Sequence, residues 1–143
     1  MRQVINIFGR SCKIFLETNG TLAEDFKKIS DAVDIVSMDI KLPSVVGKNL
    51  FALHEKFLRA AQDKDLCVKI VVTSETTAEE FFSAIDLVAS IDPKIFLILQ
   101  PVTPIKNMSA VSAEKILSLQ SLALKKLNDV RVIPQTHRLI NVF

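Results

Sequence analysis

Polar side chains of the kind that bind charged organic ligands stand where apolar, strand-like runs of the sequence end. The first such run is followed by Glu17, Thr18 and Asn19, which offer a carboxylate, a hydroxyl and an amide. Each of these groups must give up water if it is buried, and burial costs stability unless the group meets a partner. A turn explains Asn19 well, because Asn followed by Gly20 is a strong turn dipeptide. The turn leaves Glu17 and Thr18 as candidate binding residues.

A second run places polar residues at alternate positions, namely Ser37, Asp39 and Lys41. Strand alternation predicts that these three share one face while apolar residues occupy the other. One interpretation is a half-solvated edge strand with an exposed Asp–Lys pair, worth under ~1 kcal/mol. However, a parallel strand flanked by helices on both sides is dry on both faces. The polar face therefore favours the interior of an open barrel.

Two later runs end in loops that combine proline with glutamine. Gln100 precedes Pro101, which lacks the next ladder donor and is expected to end the strand with Gln100 at its tip. The segment 134–137 repeats the theme and ends at His137. A plain loop explains either segment equally well, and a lone histidine is commonly a surface residue. Both residues are therefore candidates only in combination with other evidence.

Repeated βα units are expected to position these residues. Short apolar runs at 14–17, 35–39, 68–72, 95–99 and 130–133 predict five parallel strands buried on both faces. Ligands of parallel α/β proteins bind at the carboxyl ends of the strands, where the connecting loops converge. The candidate residues lie at those ends.

Segments between the strands have apolar residues at helical spacing, and each predicts one amphipathic helix. The stripes are Phe26, Ile29 and Val33; Leu50, Leu53, Phe57, Leu58 and Ala61; Phe81, Ala84, Ile85 and Val88; and Ile116, Leu119, Ala123 and Leu127. Thr21 with Glu24 and Thr77 with Glu80 are spaced as capping boxes at helix starts. Residues 1–11 also carry apolar residues at helical spacing, so we expect a helix before the first strand.

Composition limits the class of protein. With 143 residues and 49% apolar content, the chain is expected to form a single domain over residues 1–143. The net charge of +2, with dispersed lysines, weighs against nucleic-acid binding. The absence of a ~20-residue apolar run and of a signal peptide predicts no membrane span and a cytoplasmic location. Cys12 and Cys67 are expected to be buried, and no metal site is predicted from residue types.

Five segments together resemble the later strands of a radical S-adenosylmethionine enzyme, in particular the 7-carboxy-7-deazaguanine synthase family. They are Leu16–Thr21, Ser37–Ser44, Val68–Val72, Leu99–Val102 and Val132–His137. The resemblance extends from residue 14 to the end of the chain. It implies an α/β fold, an incomplete TIM-like barrel with parallel strands, helices outside and the first strands missing.

The resemblance also implies roles for the candidate residues. S-Adenosylmethionine would be bound by Glu17, Thr18, Asn19, Ser37, Asp39 and Lys41. A pterin-like substrate would face Gln100 and His137. The reaction of that family is a radical ring contraction of 6-carboxy-tetrahydropterin, on the way to queuosine and other 7-deazapurines, and it uses a [4Fe–4S] cluster with magnesium assisting. The chemistry suits the cofactor, since carboxylates and hydroxyls match its cationic part and an ammonium matches its carboxylate.

The sequence departs from the family at the cluster. The three-cysteine loop, Cys-x3-Cys-x2-Cys, is absent from these 143 residues, and a cluster needs thiolate ligands. We therefore expect no catalytic residues and no activity from this chain alone, unless an amino-terminal half is supplied in trans. The alternatives are a fragment of a glycyl-radical-enzyme activating enzyme, which acts on a peptide, and a non-catalytic oligomeric pseudoenzyme. An uncovered sheet edge predicts a homo-oligomer, and an incomplete cavity wall predicts weak cofactor binding.

Overall fold

The computed structural model describes residues 12–103 and 110–135. Within these ranges five strands alternate with helices. The strands are β1 (Phe15–Thr18), β2 (Ile35–Ile40), β3 (Asp65–Val72), β4 (Phe96–Pro101) and β5 (Val130–Val132). The helices are α1 (Ala23–Ile29), α2 (Pro43–Val46), α3 (Phe51–Ala61), α4 (Ala78–Ile91) and α5 (Ala113–Ala123), with a 3-10 turn at Ser30–Ala32. All five predicted strands are confirmed with shifted ends, whereas the helix predicted within residues 1–11 lies outside the described residues.

The strands form one sheet in the order β1-β2-β3-β4-β5, and every neighbouring pair is parallel. Met38 of β2 lies opposite Val68 of β3, and Val68 lies opposite Leu97 of β4. Strand order thus follows chain order, as in a barrel, and does not reverse as in a doubly wound sheet. The predicted α/β class is confirmed, with an open sheet consistent with a partial barrel.

Burial differs between the two faces of the sheet. Val36, Met38 and Ile40 of β2 are at most 1% exposed, as are their counterparts Val68 and Ile70 on β3. The intervening residues on the other face, such as Asp39 and Lys69, are only half-buried. The helices pack against the apolar face and complete the hydrophobic core. The prediction that the strands are buried on both faces is wrong, because the helices within residues 12–103 and 110–135 cover one face only.

The predicted apolar stripes lie against this core, except for Leu50 and Leu53 at the start of α3. Leu53 is 40% exposed. The neighbouring His54 is fully buried and takes the core position that was predicted for Leu53. Position 54 lies four residues after Leu50 and four before Leu58, so it falls on the same helix face. None of the helices in the described ranges has the length and apolar character needed to cross a bilayer.

One of the two predicted capping boxes is present. Thr77 accepts from the Glu80 amide at 3.3 Å while the Glu80 carboxylate accepts from the Thr77 amide at 2.8 Å. The same carboxylate also accepts from the Ser44 amide at 2.8 Å, which joins α2 to α4. The box predicted at Thr21 is wrong, since Leu22 is the N-cap of α1 and makes no side-chain cap. The Thr21 hydroxyl instead donates to the side chain of the preceding turn.

Other sequence expectations concerned cysteines and the sheet edges. Cys12 is exposed and Cys67 is half-buried, so the expectation that both are buried is wrong. Cys12 precedes β1 outside the core, and Cys67 lies on the less buried face of β3. Within the described residues β1 is an outer strand, and its Phe15 is 55% exposed. Pairing of such an edge with a second copy stays a prediction.

The turn after β1 depends on Gly20, which has a φ of +62°. A Cβ at this position would overlap Cε of Met38 and lie 2.8 Å from its Sδ. Met38 is fully buried and has little room to move away. Gly47 also has a positive φ, of +71°, but a Cβ there would have no atom within 4 Å. Both glycines therefore have a positive φ that disfavours other residues, but only Gly20 is also packed against a neighbouring side chain.

We predict that Gly20→Ala lowers the free energy of unfolding more than Gly47→Ala. A side chain at positive φ costs about 1 kcal/mol at either position. The overlap with Met38 should add roughly 1–3 kcal/mol at position 20 alone. Urea denaturation of the two variants measures the difference. Equal losses would contradict the packing of Met38 beneath this turn.

His54 should make stability depend on pH. Burial lowers the pKa of His54 from its ordinary 6.5 to about 4, the Asn19 backbone opposes this shift, and the Lys41 charge adds to it. Between pH 4 and 6.5 the unfolded chain therefore binds more protons than the folded one. The contribution of His54 to the free energy of unfolding is fully present above pH 6.5 and is lost as the pH falls towards 4. The full loss is on the order of 3 kcal/mol.

Urea denaturation of the wild-type chain and of His54→Leu from pH 7.5 to 4.5 measures this contribution. The carboxylates titrate in both proteins, so the difference between the two curves isolates the histidine. We expect the wild-type chain to lose more stability across this window. Parallel curves would contradict a buried, neutral His54.

Candidate functional site

Asp39 occupies the centre of a charged cluster on the less buried face of the sheet, near the carboxyl end of β2. Its Oδ2 lies 2.8 Å from Lys41 Nζ, and its Oδ1 lies 3.0 Å from Lys69 Nζ. Asp39 and Lys69 face each other in the strand register, and this brings the second lysine into reach. The side chains are 22–30% exposed, so solvent screens this cluster less than it screens a surface ion pair.

The cluster has an excess of positive charge, because two ammonium groups share one carboxylate. Each ammonium has three hydrogen-bond donors, and Asp39 accepts from one donor of each lysine. The remaining donors are suited to an anionic ligand group such as a carboxylate. Lys41 follows the last residue of β2, but its side chain still joins Asp39 on the predicted polar face.

Lys69 is absent from the candidates that the sequence suggests. The predicted strand begins at residue 68, and Lys69 falls within its apolar run. In the structure the strand begins at Asp65, and its burial alternates through Leu66, Val68 and Ile70. That alternation is visible in the sequence and places Lys69 on the polar face with Cys67.

Glu17 and Ser37 form the next layer of the same face towards the amino ends of the strands. Glu17 lies opposite Ser37, and Ser37 lies opposite Cys67. Glu17 is exposed and has no hydrogen bond or ion pair to another residue in the described part of the chain. Within residues 12–103 and 110–135 its carboxylate therefore has no cationic partner. Burial raises the pKa of Cys67 to about 11, an effect that the charge of Lys69 opposes, so the thiol is protonated at neutral pH.

Thr18 and Asn19 stabilise the turn that follows β1. Thr18 Oγ1 accepts from the Gly20 amide at 3.1 Å. Asn19 Oδ1 accepts from the Thr21 hydroxyl at 2.8 Å and from its amide at 3.3 Å. The turn thus explains Thr18 as well as Asn19, which corrects the sequence interpretation. Within the described part of the chain the Asn19 side-chain nitrogen donates no hydrogen bond, so its two donors suit a ligand.

Gln100 lies on β4 opposite Val71, one layer beyond the Asp39–Lys69 pair. The strand continues through Pro101, so Gln100 is its penultimate residue and not its tip. Gln135 Oε1 accepts from the Thr103 amide at 3.4 Å, which holds the segment after β5 beside the end of β4. His137 lies outside the described residues.

His54 is a residue that the sequence candidates did not include. It is fully buried, and neither ring nitrogen has a hydrogen-bond partner. The Asn19 backbone and the Lys41 charge both act on its pKa, which burial holds near 4. The ring is therefore neutral at pH 7.

No group of three or more His, Cys, Asp or Glu side chains is arranged to hold a metal ion within residues 12–103 and 110–135. An iron–sulfur cluster requires several thiolates. Cys12 and Cys67 are the cysteines of this sequence, and Cys67 keeps its proton. These two cysteines do not fit an iron–sulfur cluster.

Comparison with known proteins gives consistent names. No protein-family model matches the chain. It is 38% identical over 139 residues to the 7-carboxy-7-deazaguanine synthase of Geobacter sulfurreducens, which is 96% of this chain and 56% of that protein. It is 30% identical to the protein of that name from Methanopyrus kandleri, over 92% of this chain and 50% of the relative. It is 31% identical to the protein of that name from Aquifex aeolicus, over 86% of this chain and 49% of the relative.

The three relatives point to one family, and the open parallel sheet is consistent with a partial barrel. The relatives carry one name, and it matches the resemblance found in the strand-end segments. The chain spans about half the length of the curated relatives it matches. By sequence, the chain is a relative of the 7-carboxy-7-deazaguanine synthase family.

Proposed function

We propose that this chain forms the part of a 7-carboxy-7-deazaguanine synthase that binds S-adenosylmethionine and a pterin-like substrate. The observation that carries the proposal is the cluster in which Asp39 holds the ammonium groups of Lys41 and Lys69. It lies on the less buried face of the sheet, near the carboxyl ends of the strands. Parallel α/β barrels bind their ligands at these ends.

The donor set of this face fits the cofactor. The carboxylate of S-adenosylmethionine would accept from Lys41 and Lys69, and Ser37 would supply a hydroxyl. Glu17 would attract the ammonium or sulfonium, since its carboxylate is unpaired within the described part of the chain. Asn19 would donate from its side-chain amide, and Thr18 would hold the turn through the Gly20 amide. In the family, bound S-adenosylmethionine supplies radical chemistry.

Gln100 is the described residue proposed to face the substrate. Its side chain has an acceptor and two donors, which suit the edge of a pterin ring. It makes no hydrogen bond to another residue within 12–103 and 110–135. His137 belongs to the same proposal by resemblance. The proposed substrate is 6-carboxy-tetrahydropterin, and the names of the relatives favour it over the peptide substrate of an activating enzyme.

We predict that Lys69→Met weakens binding of S-adenosylmethionine roughly ten- to hundredfold, because a charge-assisted hydrogen bond contributes roughly 1.5–3 kcal/mol. Calorimetry with ligand up to millimolar concentration measures the affinity. Decarboxylated S-adenosylmethionine should bind the wild-type chain and Lys69→Met with similar affinity, because it lacks the group that Lys69 contacts.

Lys94→Met is the matched control, since Lys94 is exposed next to the amino end of β4. It removes the same charge at the opposite end of the sheet and should leave both affinities unchanged. Equal weakening by Lys94→Met and Lys69→Met would show that the effect comes from the net charge of the protein and not from a contact with Lys69. Wild-type affinity in Lys69→Met would contradict the proposed site.

A second prediction concerns the substrate. Gln100→Ala should weaken binding of 6-carboxy-tetrahydropterin several-fold, as expected for the loss of one or two neutral hydrogen bonds. Gln62→Ala, an exposed position after α3, serves as the control. No binding by the wild-type chain, together with no effect of Gln100→Ala, would favour an activating enzyme with a peptide substrate.

A further inference from the structure

Glu80 is a buried carboxylate that makes one hydrogen bond more than the cap of α4 requires. Its side chain belongs to the core, and the residue is 9% exposed. Oε1 accepts from the Thr77 amide at 2.8 Å, and a capping box needs only this bond from the carboxylate. Oε2 accepts from the Ser44 amide, also at 2.8 Å. Because a buried carboxylate is costly unless its oxygens are paired, the burial of Glu80 depends on this second bond.

The Ser44 amide is the helix-start donor that α2 itself leaves unpaired. Pro43 has no amide hydrogen, and the amides of residues 45–47 donate to the carbonyls of Leu42 and Pro43. Leu42 is the N-cap of α2 and supplies no side-chain acceptor. Glu80 therefore completes the hydrogen bonding of α2 from a different helix, and it joins the loop after β2 to the start of α4.

The segment that Glu80 holds begins beside a residue of the candidate site. Lys41 lies between the end of β2 and the fully buried Leu42, and its ammonium is 2.8 Å from Asp39 Oδ2. The exposed residues 44–49 follow. Within the described part of the chain, the hydrogen bond to Glu80 is the one that ties them to another element. Loss of this bond frees the backbone on the carboxyl-terminal side of Lys41.

We propose that Glu80 is a positioning residue for Lys41. By accepting from the Ser44 amide, Glu80 fixes the backbone that follows β2. The Lys41 ammonium then stays beside Asp39, where it meets the carboxylate of S-adenosylmethionine. This role rests on the proposed function and deepens it, because it names the residue that keeps the carboxylate subsite in its binding geometry. Glu80 acts through Ser44 and Lys41 and is not itself a ligand contact.

Glu80→Ala removes the bond to Ser44, and Thr77→Ala is the matched control. The control removes the other half of the same capping box, in which the Thr77 hydroxyl accepts from the Glu80 amide, and it leaves the carboxylate in place. Both variants should lower the urea midpoint. Affinity for S-adenosylmethionine should fall roughly three- to tenfold in Glu80→Ala alone, since Lys41 is then correctly placed in only a fraction of the molecules. Decarboxylated S-adenosylmethionine should bind both variants as it binds the wild-type chain.

Hydrogen exchange of the Ser44 amide gives a second readout, which does not require Glu80→Ala to fold. Ligand binding and anchoring of this segment are coupled reciprocally, so each strengthens the other. Saturating S-adenosylmethionine should therefore slow exchange of the Ser44 amide in the wild-type chain. The decarboxylated ligand should leave the exchange rate unchanged, because it lacks the group that Lys41 contacts.

Four results would overturn the positioning role and leave the proposed function standing. They are wild-type affinity in Glu80→Ala, an equal loss of affinity in Thr77→Ala, equal losses for the two ligands, and an unchanged exchange rate of the Ser44 amide with saturating S-adenosylmethionine. Absence of binding to the wild-type chain at millimolar S-adenosylmethionine would overturn the proposed function, and the positioning role with it.

Discussion

In five parallel strands joined in chain order, the connecting helices pack on one side of the sheet, and one face of each strand is thereby buried. Val36, Met38 and Ile40 of β2 take that face, and strand alternation forces Ser37 and Asp39 onto the other. The strand register then sets Asp39 beside Lys69, and a single carboxylate holds two ammonium groups. The charged cluster is a consequence of which face the core occupies.

The turn after β1 connects the buried face of the sheet with the face proposed to bind ligand. Met38 is a core residue, yet it limits position 20 to glycine and so sets the path of the turn. His54 occupies a core position on α3, and the Asn19 backbone raises its pKa against the larger, opposite effect of burial. Core packing and the geometry of the candidate site are thus connected by a few contacts. A substitution in this part of the core is expected to change ligand binding as well as stability.

Much of this architecture follows from hydrophobic periodicity in the sequence. The five strands and the long helices were predictable because β-branched runs alternate with stripes at helical spacing. The Thr77–Glu80 capping box was predictable from spacing alone, but the same spacing at Thr21 failed because Asn19 binds the hydroxyl instead. Local signals cannot decide between two partners that are both within reach of one side chain.

The site was less predictable, since its geometry depends on contacts between distant strands. Lys69 joins Asp39 through strand register, and register is not encoded in either strand by itself. His54 lies on the buried face and Leu53 does not, because His54 stands three and four residues before the buried Phe57 and Leu58 of α3. The polarity of histidine argued against burial at position 54. Only the spacing of its apolar neighbours indicated that this position faces the core.

The most direct test is to map the ligand on the chain by nuclear magnetic resonance. S-Adenosylmethionine titrated into the nitrogen-15-labelled protein should shift the amides of residues 17–20, 37–41 and 69, while those at the amino ends of the strands stay in place. This result would locate binding on the less buried face beside the Asp39 cluster. Shifts confined to the outer surfaces of the helices, or no shifts at millimolar ligand, would contradict the account.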